Sequence, residues 1–433
     1  MLRSMYSGIG GMKNFQTKLD VIGNNISNVN TYGFKKGRTT FKDLVSQQLA
    51  GASNPTDNRG GTNPQQIGLG GTMATVDTIH TQGSLQTTGR ALDLGISGDG
   101  FFIVNDGALS YYTRAGNFYL DRDGTLVTGD GLKVQGYRPG NGGQIDQNNF
   151  GDLAIQAGDV FEPQATTEMS LKGNLRAEMP IIDNVINGDL SPEEYRSLSN
   201  VVINKVSVTD SLGSLHNLEL VYQKTEESEW TVSVLLPEFD EDGELFNYYN
   251  LGDTLVEFGT DGKVISEPAS FSFDIFADDL DNGAADMEME IDFSQLTQFG
   301  NSSNSADVSS INGNTEGLLE SFNISQTGEI NGVYTNGEVR ILGQIAMATF
   351  NNTGGLTKSG DNLFQVSNNS GVANVGLAGE GRGVFAGSSL EMSNVDLSEE
   401  FTEMIVAQRG FQANTRIITT SDEILQELVN LKR

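Results

Sequence analysis

The residues most suggestive of chemistry in this chain are carboxylates followed by glycine. They occur at Asp106-Gly107, Asp123-Gly124, Asp130-Gly131 and Asp242-Gly243, with a related Asn282-Gly283. Oxygen-rich turns of this kind can hold calcium when the ligand register is kept. Here it is not kept. A loop built on Asp121 and Asp123 begins at Tyr119, one built on Asp240 and Asp242 ends on Tyr249, and one built on Asn282 puts Leu280 at a ligand position. The same pairs suit tight hairpin turns, where glycine supplies the positive φ. The two histidines, His80 and His216, are far apart, and there is no cysteine. Disulfides, thiolate metal sites and cysteine nucleophiles are therefore excluded. Gly379, Gly381 and Gly383 in GEGRGVFAG lack the lysine-serine pair and strand–helix context of a phosphate loop. Residues 151–320 are rich in carboxylates, but no spacing singles out a glycosidase pair. No catalytic residue, metal or cofactor is expected.

The carboxylates instead set the electrostatics. The net charge is −31, and residues 151–320 hold 34 Asp and Glu against 6 Lys and Arg. Residues 1–50 reverse the sign, with 7 basic against 2 acidic side chains. So acidic a block repels nucleic acid and anionic membrane, and it reads as a solvated outer surface. No apolar run reaches the roughly 18 residues of a membrane span, so no membrane insertion is expected. The opening MLRSMYSGIGGMKNF lacks the apolar core of a secretory leader. Export, if it occurs, is expected without a cleaved signal peptide.

The elements that would carry these residues fall into two kinds. Met5, Ile9, Met12, Phe15, Leu19, Ile22, Ile26 and Val29 recur at spacings of three and four, as on one side of a helix. Leu397, Met404, Phe411, Ile418 and Leu425 recur every seven residues, with Phe401 flanking them. That is the repeat of a coiled-coil seam. Between these terminal helices the pattern is of strands. Residues 99–137 and 218–236 alternate apolar and polar positions around turn pairs, predicting antiparallel β barrels or sandwiches. Residues 50–72 and 300–315, rich in glycine and asparagine, read as linkers.

Three stretches resemble one family. LDVIGNNISNVNTYGFKK (19–36), ALDLGISGDGFFIV through to LKVQGY (91–137) and SNVDLSEEFTEMIVAQRGFQANTRII (393–418) are similar, in that order, to the motifs of bacterial flagellar basal-body rod and hook proteins. The matches cover about half the chain. Within that family, an added outer block of the size of 151–320 resembles the hook subunit more than the distal rod protein. The resemblance implies a nested, mainly β fold with helical termini. Residues 1–33 and 394–433 would form an inner helical layer lining a channel, paired as a coiled coil in the polymer. Residues 34–72 and 373–393 would be an extended connection, 73–150 with 321–372 a shared β domain, and 151–320 an inserted outer β domain.

The implied function is that of a self-assembling subunit of a curved, torque-transmitting tube outside the cell. Its implied partners are copies of itself, the distal rod protein, the hook cap protein, the hook–filament junction protein and the flagellar export apparatus. A distal rod protein, a secreted coiled-coil adhesin and an acidic carbohydrate-active enzyme are the alternatives. The terminal stripe residues named above are the expected assembly contacts.

Asn24, Asn25 and Asn28 interrupt the first helix with amides that only weaken an isolated helix. They are expected to bond neighbouring copies, and the monomer is expected to lose nothing when Asn25 and Asn28 become alanine. Gly33 is expected to end that helix in a left-handed cap, with Lys35, Lys36 and Arg38 beside its negative dipole end.

Overall fold

The computed structural model describes the chain except for residues 1, 53, 56–58, 141–142, 157, 183–185, 187, 240–244, 281, 301–302 and 432–433. Among the described residues, the long helices lie at the termini: α1 (Leu2–Ser27), the short α2 (Pro192–Ser197) and α3 (Ala277–Leu280), and α4 (Leu397–Asn430). The rest of the regular structure is strand. The contacts divide the chain into two compact units, residues 1–157 with 321–332 and 339–433, and residues 158–320 with 333–338.

The second unit is a sandwich of two open four-stranded sheets. One has the order Val202–Thr209, Leu215–Lys224, Glu229–Phe239, Leu245–Glu257, a simple meander. The other has the order Ser270–Ile275, Met287–Phe299, Glu168–Arg176, Asp307–Ile311. Tyr222, Trp230, Val232, Val234, Leu171, Met289 and Ile291 fill the core between them. The alternation at 218–236 thus marks one buried face. The expected barrel is not formed, since the sheets keep their edges. Nor is every pair antiparallel: Glu168–Arg176 runs parallel to Met287–Phe299. A parallel pair needs a long crossover, and here the whole first sheet supplies it.

In the first unit, the strand Lys133–Pro139 is central. It pairs with Phe101–Asn105, Ile145–Asp152 and Val339–Ile345. An aromatic cluster of Phe101, Phe350, Phe364 and Tyr112 packs beside it. The Gly- and Asn-rich stretch that reads as a linker is part of a two-stranded ribbon. Gly37–Asp43 pairs with Gly71–Thr78, and Ser46–Ala50 with Gln65–Gly68. The ribbon's base lies on α1, where Asn14 Nδ2 donates to the Gly71 carbonyl (2.9 Å) and Phe41 meets Phe15.

The paired termini as a candidate assembly interface

α1 and α4 pack antiparallel, and small residues set the closeness of their approach. The Ser4 and Ser421 hydroxyls lie 3.5 Å apart at one end, and Lys18 Nζ sits 3.0 Å from Glu403 Oε2 towards the other. Between them, a Cβ added at Gly11 would lie 2.6 Å from the Asn414 amide oxygen, and one at Gly410 would lie 2.5 Å from the Phe15 ring. Ala407 is fully buried at the seam. Aspartate caps α4: Asp396 Oδ1 accepts from the Ser398 (2.8 Å) and Glu399 (3.4 Å) amides, and Glu399 and Glu400 favour the positive helix end.

The predicted contact residues divide between the two sides of this pair. Ile22 is buried; Met5, Met12, Phe15, Leu19 and Ile26 are half-buried, and Met12 Sδ accepts from the Thr415 hydroxyl at 3.7 Å. Met404, Phe411, Ile418 and Leu425 are half-buried. Ile9, Leu397 and Phe401 are exposed. Leu397, Phe401, Ile405, Val406, Ile417 and Ile424 of α4 are 39% to 59% exposed, and their spacing spreads them over more than one side of the helix. The heptad count alone does not reveal these uncovered positions, most of which lie off its track.

The amides of NNISNVNTYGFKK have a different use from the one expected. Asn25 is 2% exposed and bonds inside its own chain. Its Oδ1 accepts from the Gly37 amide and its Nδ2 donates to the Gly37 carbonyl (both 2.9 Å), with a further bond to Glu400 Oε2 at 3.1 Å. This clamps the ribbon to α1 and to the start of α4. Asn28 closes the helix locally, donating from Nδ2 to the Asn24 carbonyl at 2.9 Å and accepting from the Thr31 hydroxyl at 3.2 Å. Asn24 is exposed. Asn25→Ala therefore destabilises the monomer, by about 1–3 kcal/mol for stranded buried partners; Asn28→Ala costs less. Thermal melting followed by helical circular dichroism checks this.

Nor is Gly33 the helix cap. α1 ends at Ser27, and Gly33 has φ +69° in the following turn. A Cβ there would lie 2.5 Å from the Ala115 amide nitrogen, so glycine lets two backbones touch. The cations that follow serve partners distant in sequence. Lys36 pairs with Glu399 (2.7 Å), and Arg38 reaches Asp77 (3.9 Å). Lys35 is wholly buried against Glu391 at 2.6 Å. Glu391 Oε1 also accepts from the Gly83 amide (2.9 Å), its Oε2 from Arg114 Nη1 (3.2 Å), and its backbone carbonyl from the Gly33 amide (2.8 Å). Burial pushes the Lys35 ammonium and the Arg114 guanidinium below their usual ranges, and the Glu391 carboxylate opposes that shift on both. This triad fixes the exits of both terminal helices on the β structure of the first unit. Sequence reading missed it; the only local sign was two lysines after an invading glycine turn.

The chain is similar to known proteins. Four family descriptions match: "Flagella basal body rod protein" over residues 5–35, "Flagellar hook protein FlgE/F/G D1 domain" over 95–172, "Flagellar basal body protein FlaE D2 domain" over 182–314, and "Flagellar basal body rod FlgEFG protein C-terminal" over 386–431. Along its whole length the chain is 41% identical to the flagellar hook protein of Borreliella burgdorferi, covering all of that protein too. It is 37% identical, again with full coverage of both, to the flagellar hook protein of Treponema pallidum and to the flagellar basal-body rod protein of Bacillus subtilis. A crystal structure of a Helicobacter pylori flagellar hook protein shares the fold over 71% of this chain and all of its own, with a TM-score of 0.55 at 15% identity.

Proposed function

Because this chain belongs to the flagellar rod and hook protein family, we propose that it is the structural subunit of a flagellar hook, a tube built from copies of itself that passes torque from rod to filament. Its full-length identity to hook proteins carries the reading. The physical support is the set of exposed apolar side chains on α4. A helix pair that leaves Phe401, Ile405 and Val406 uncovered needs neighbours to bury them. Head-to-tail contacts between unlike surfaces build an open helical tube. The role is structural and not enzymatic. The tube lies outside the cell, between distal rod and junction proteins, and grows under a cap from subunits delivered by the flagellar export apparatus.

The rod-named relative favours a second reading, the distal rod, because it matches the acidic block along with everything else. The block therefore does not by itself separate the two. Electron microscopy of the purified chain under polymerising conditions does: short curved hollow tubes support the hook, and straight ones the rod. Ile405→Asp is expected to leave monomer melting within about 0.5 kcal/mol of wild type, as for other exposed positions, while abolishing tubes. Tubes at normal yield from that variant would count against the α4 surface as an assembly contact.

A further inference from the structure

Among the described residues of the first unit, Lys358 is a cation without an ion pair beside a buried charge cluster. Lys358 lies on the exposed strand Thr357–Gly360, with its ammonium part-buried 3.3 Å from the Lys35 carbonyl oxygen and 5.2 Å from the centre of the Phe34 ring. Among the described residues no carboxylate comes within 4 Å of it. Lys35 and Arg114 share the single Glu391, so two buried cations already divide one buried anion. His80 registers the excess. Burial first, then Lys35, Arg114 and Lys358, hold its imidazole down at about 4.

Lys358 lines an open pocket of about 240 Å³ with Asn24, Asn28 and Phe34, where α1 ends. Asp361, the one carboxylate in its wall, makes no ion pair with Lys358. An ammonium, amide groups and an apolar floor suit a single carboxylate side chain.

We infer that this pocket receives an Asp or Glu side chain from a second copy of the chain, which completes the charge of the Lys35–Glu391–Arg114–Lys358 cluster during assembly. The occupant follows from charge. Residues 151–320, with 34 acidic against 6 basic side chains, give every neighbouring copy a surplus of carboxylates. Copies that repel through that surplus gain most where one carboxylate meets an unneutralised cation. The amide-rich helix end is then part of a receptor.

The inference rests on the polymer reading above, and its test separates the two. Lys358→Met removes the charge and keeps the stem; Lys358→Arg keeps the charge. A charge-assisted contact is expected to raise the critical concentration for tube formation about tenfold in Lys358→Met. Lys358→Arg should stay near wild type, and monomer melting should be equal or higher in Lys358→Met. Tubes from Lys358→Met at the wild-type critical concentration would overturn the inference and leave the hook reading standing. So would acetate stabilising the wild-type monomer over Lys358→Met with no change in assembly, since the pocket would then bind small anions only. If wild type forms no tubes at all, the hook reading fails. The acetate comparison then decides alone: equal response of wild type and Lys358→Met overturns the carboxylate site, and selective stabilisation of wild type supports it.

Discussion

Glu391→Gln is expected to lower the stability of the first unit by about 3–5 kcal/mol, the usual result of removing one partner from a buried ion cluster. Glutamine keeps the shape and can still accept from the Gly83 amide. It cannot neutralise Lys35, which has no exposure, or Arg114, which has almost none. Lys35→Met should cost less, because Glu391 and Arg114 then remain a matched pair. The order of the two effects is the diagnostic part of the prediction; a larger loss in Lys35→Met would refute the account. The chain supplies its own control. Trp230, its only tryptophan, is buried in the core of the other unit. Tryptophan fluorescence should therefore melt at the wild-type temperature in Glu391→Gln, while the helical signal melts early. Two transitions are expected, so a single unfolding free energy does not describe this molecule.

Gly410→Leu is expected to split the terminal helix pair and stop assembly. On propensity alone, replacing a mid-helix glycine stabilises by up to about 1 kcal/mol. The clash runs the other way and is larger. The first carbon added would already lie 2.5–2.8 Å from three atoms of the Phe15 ring, and leucine adds three more. Overpacking of this kind costs about 1–3 kcal/mol, and the ring that must shift also meets Phe41. Helical circular dichroism should show an early loss, and electron microscopy should show no tubes. Phe15→Ala combined with Gly410→Leu should recover part of both, which a general folding defect would not allow. Gly23→Ala is the matched control. Nothing lies within 4 Å of a Cβ there, so the helix propensity gain should appear without opposition.

The comparison of sequence with structure is instructive at particular residues. The α1 stripe from Met5 to Ile26 was legible because a helix facing one partner must repeat at three and four. The seam of Met404, Phe411, Ile418 and Leu425 was legible for the same reason. Leu397 lies in register with that seam and Phe401 beside it, yet both are exposed, since apolar spacing does not say whether a partner covers a position. Asn25 looked like a cost to the monomer because its partner, Gly37, lies beyond the helix, and a backbone carbonyl and amide leave no trace in side-chain composition. Glu391 was invisible among 57 acidic residues. Its partners Lys35 and Arg114 lie 356 and 277 positions away, and only the fold brings them together. Hairpin turns were readable at Asp106-Gly107, Asp123-Gly124 and Asp130-Gly131, whereas Asp242-Gly243 lies outside the described residues and Asn282-Gly283 follows α3. The parallel pairing of Glu168–Arg176 was not readable, because no local signal encodes a crossover of that length.

The antiparallel pairing of α1 with α4 also fixes an order of events. Ser4 and Ser421 meet across 417 positions, so closing that contact in a loose chain carries a large loop-closure entropy. Once the strands between them have folded, most of that entropy has already been lost, and the two helices need only meet. The seam is thus the natural last step of folding. A chain lacking its final helix would keep the ribbon on α1 but leave the side of α1 that faces α4 uncovered. Only complete copies offer a finished surface to the growing tube, and the geometry of the termini acts as a check on length.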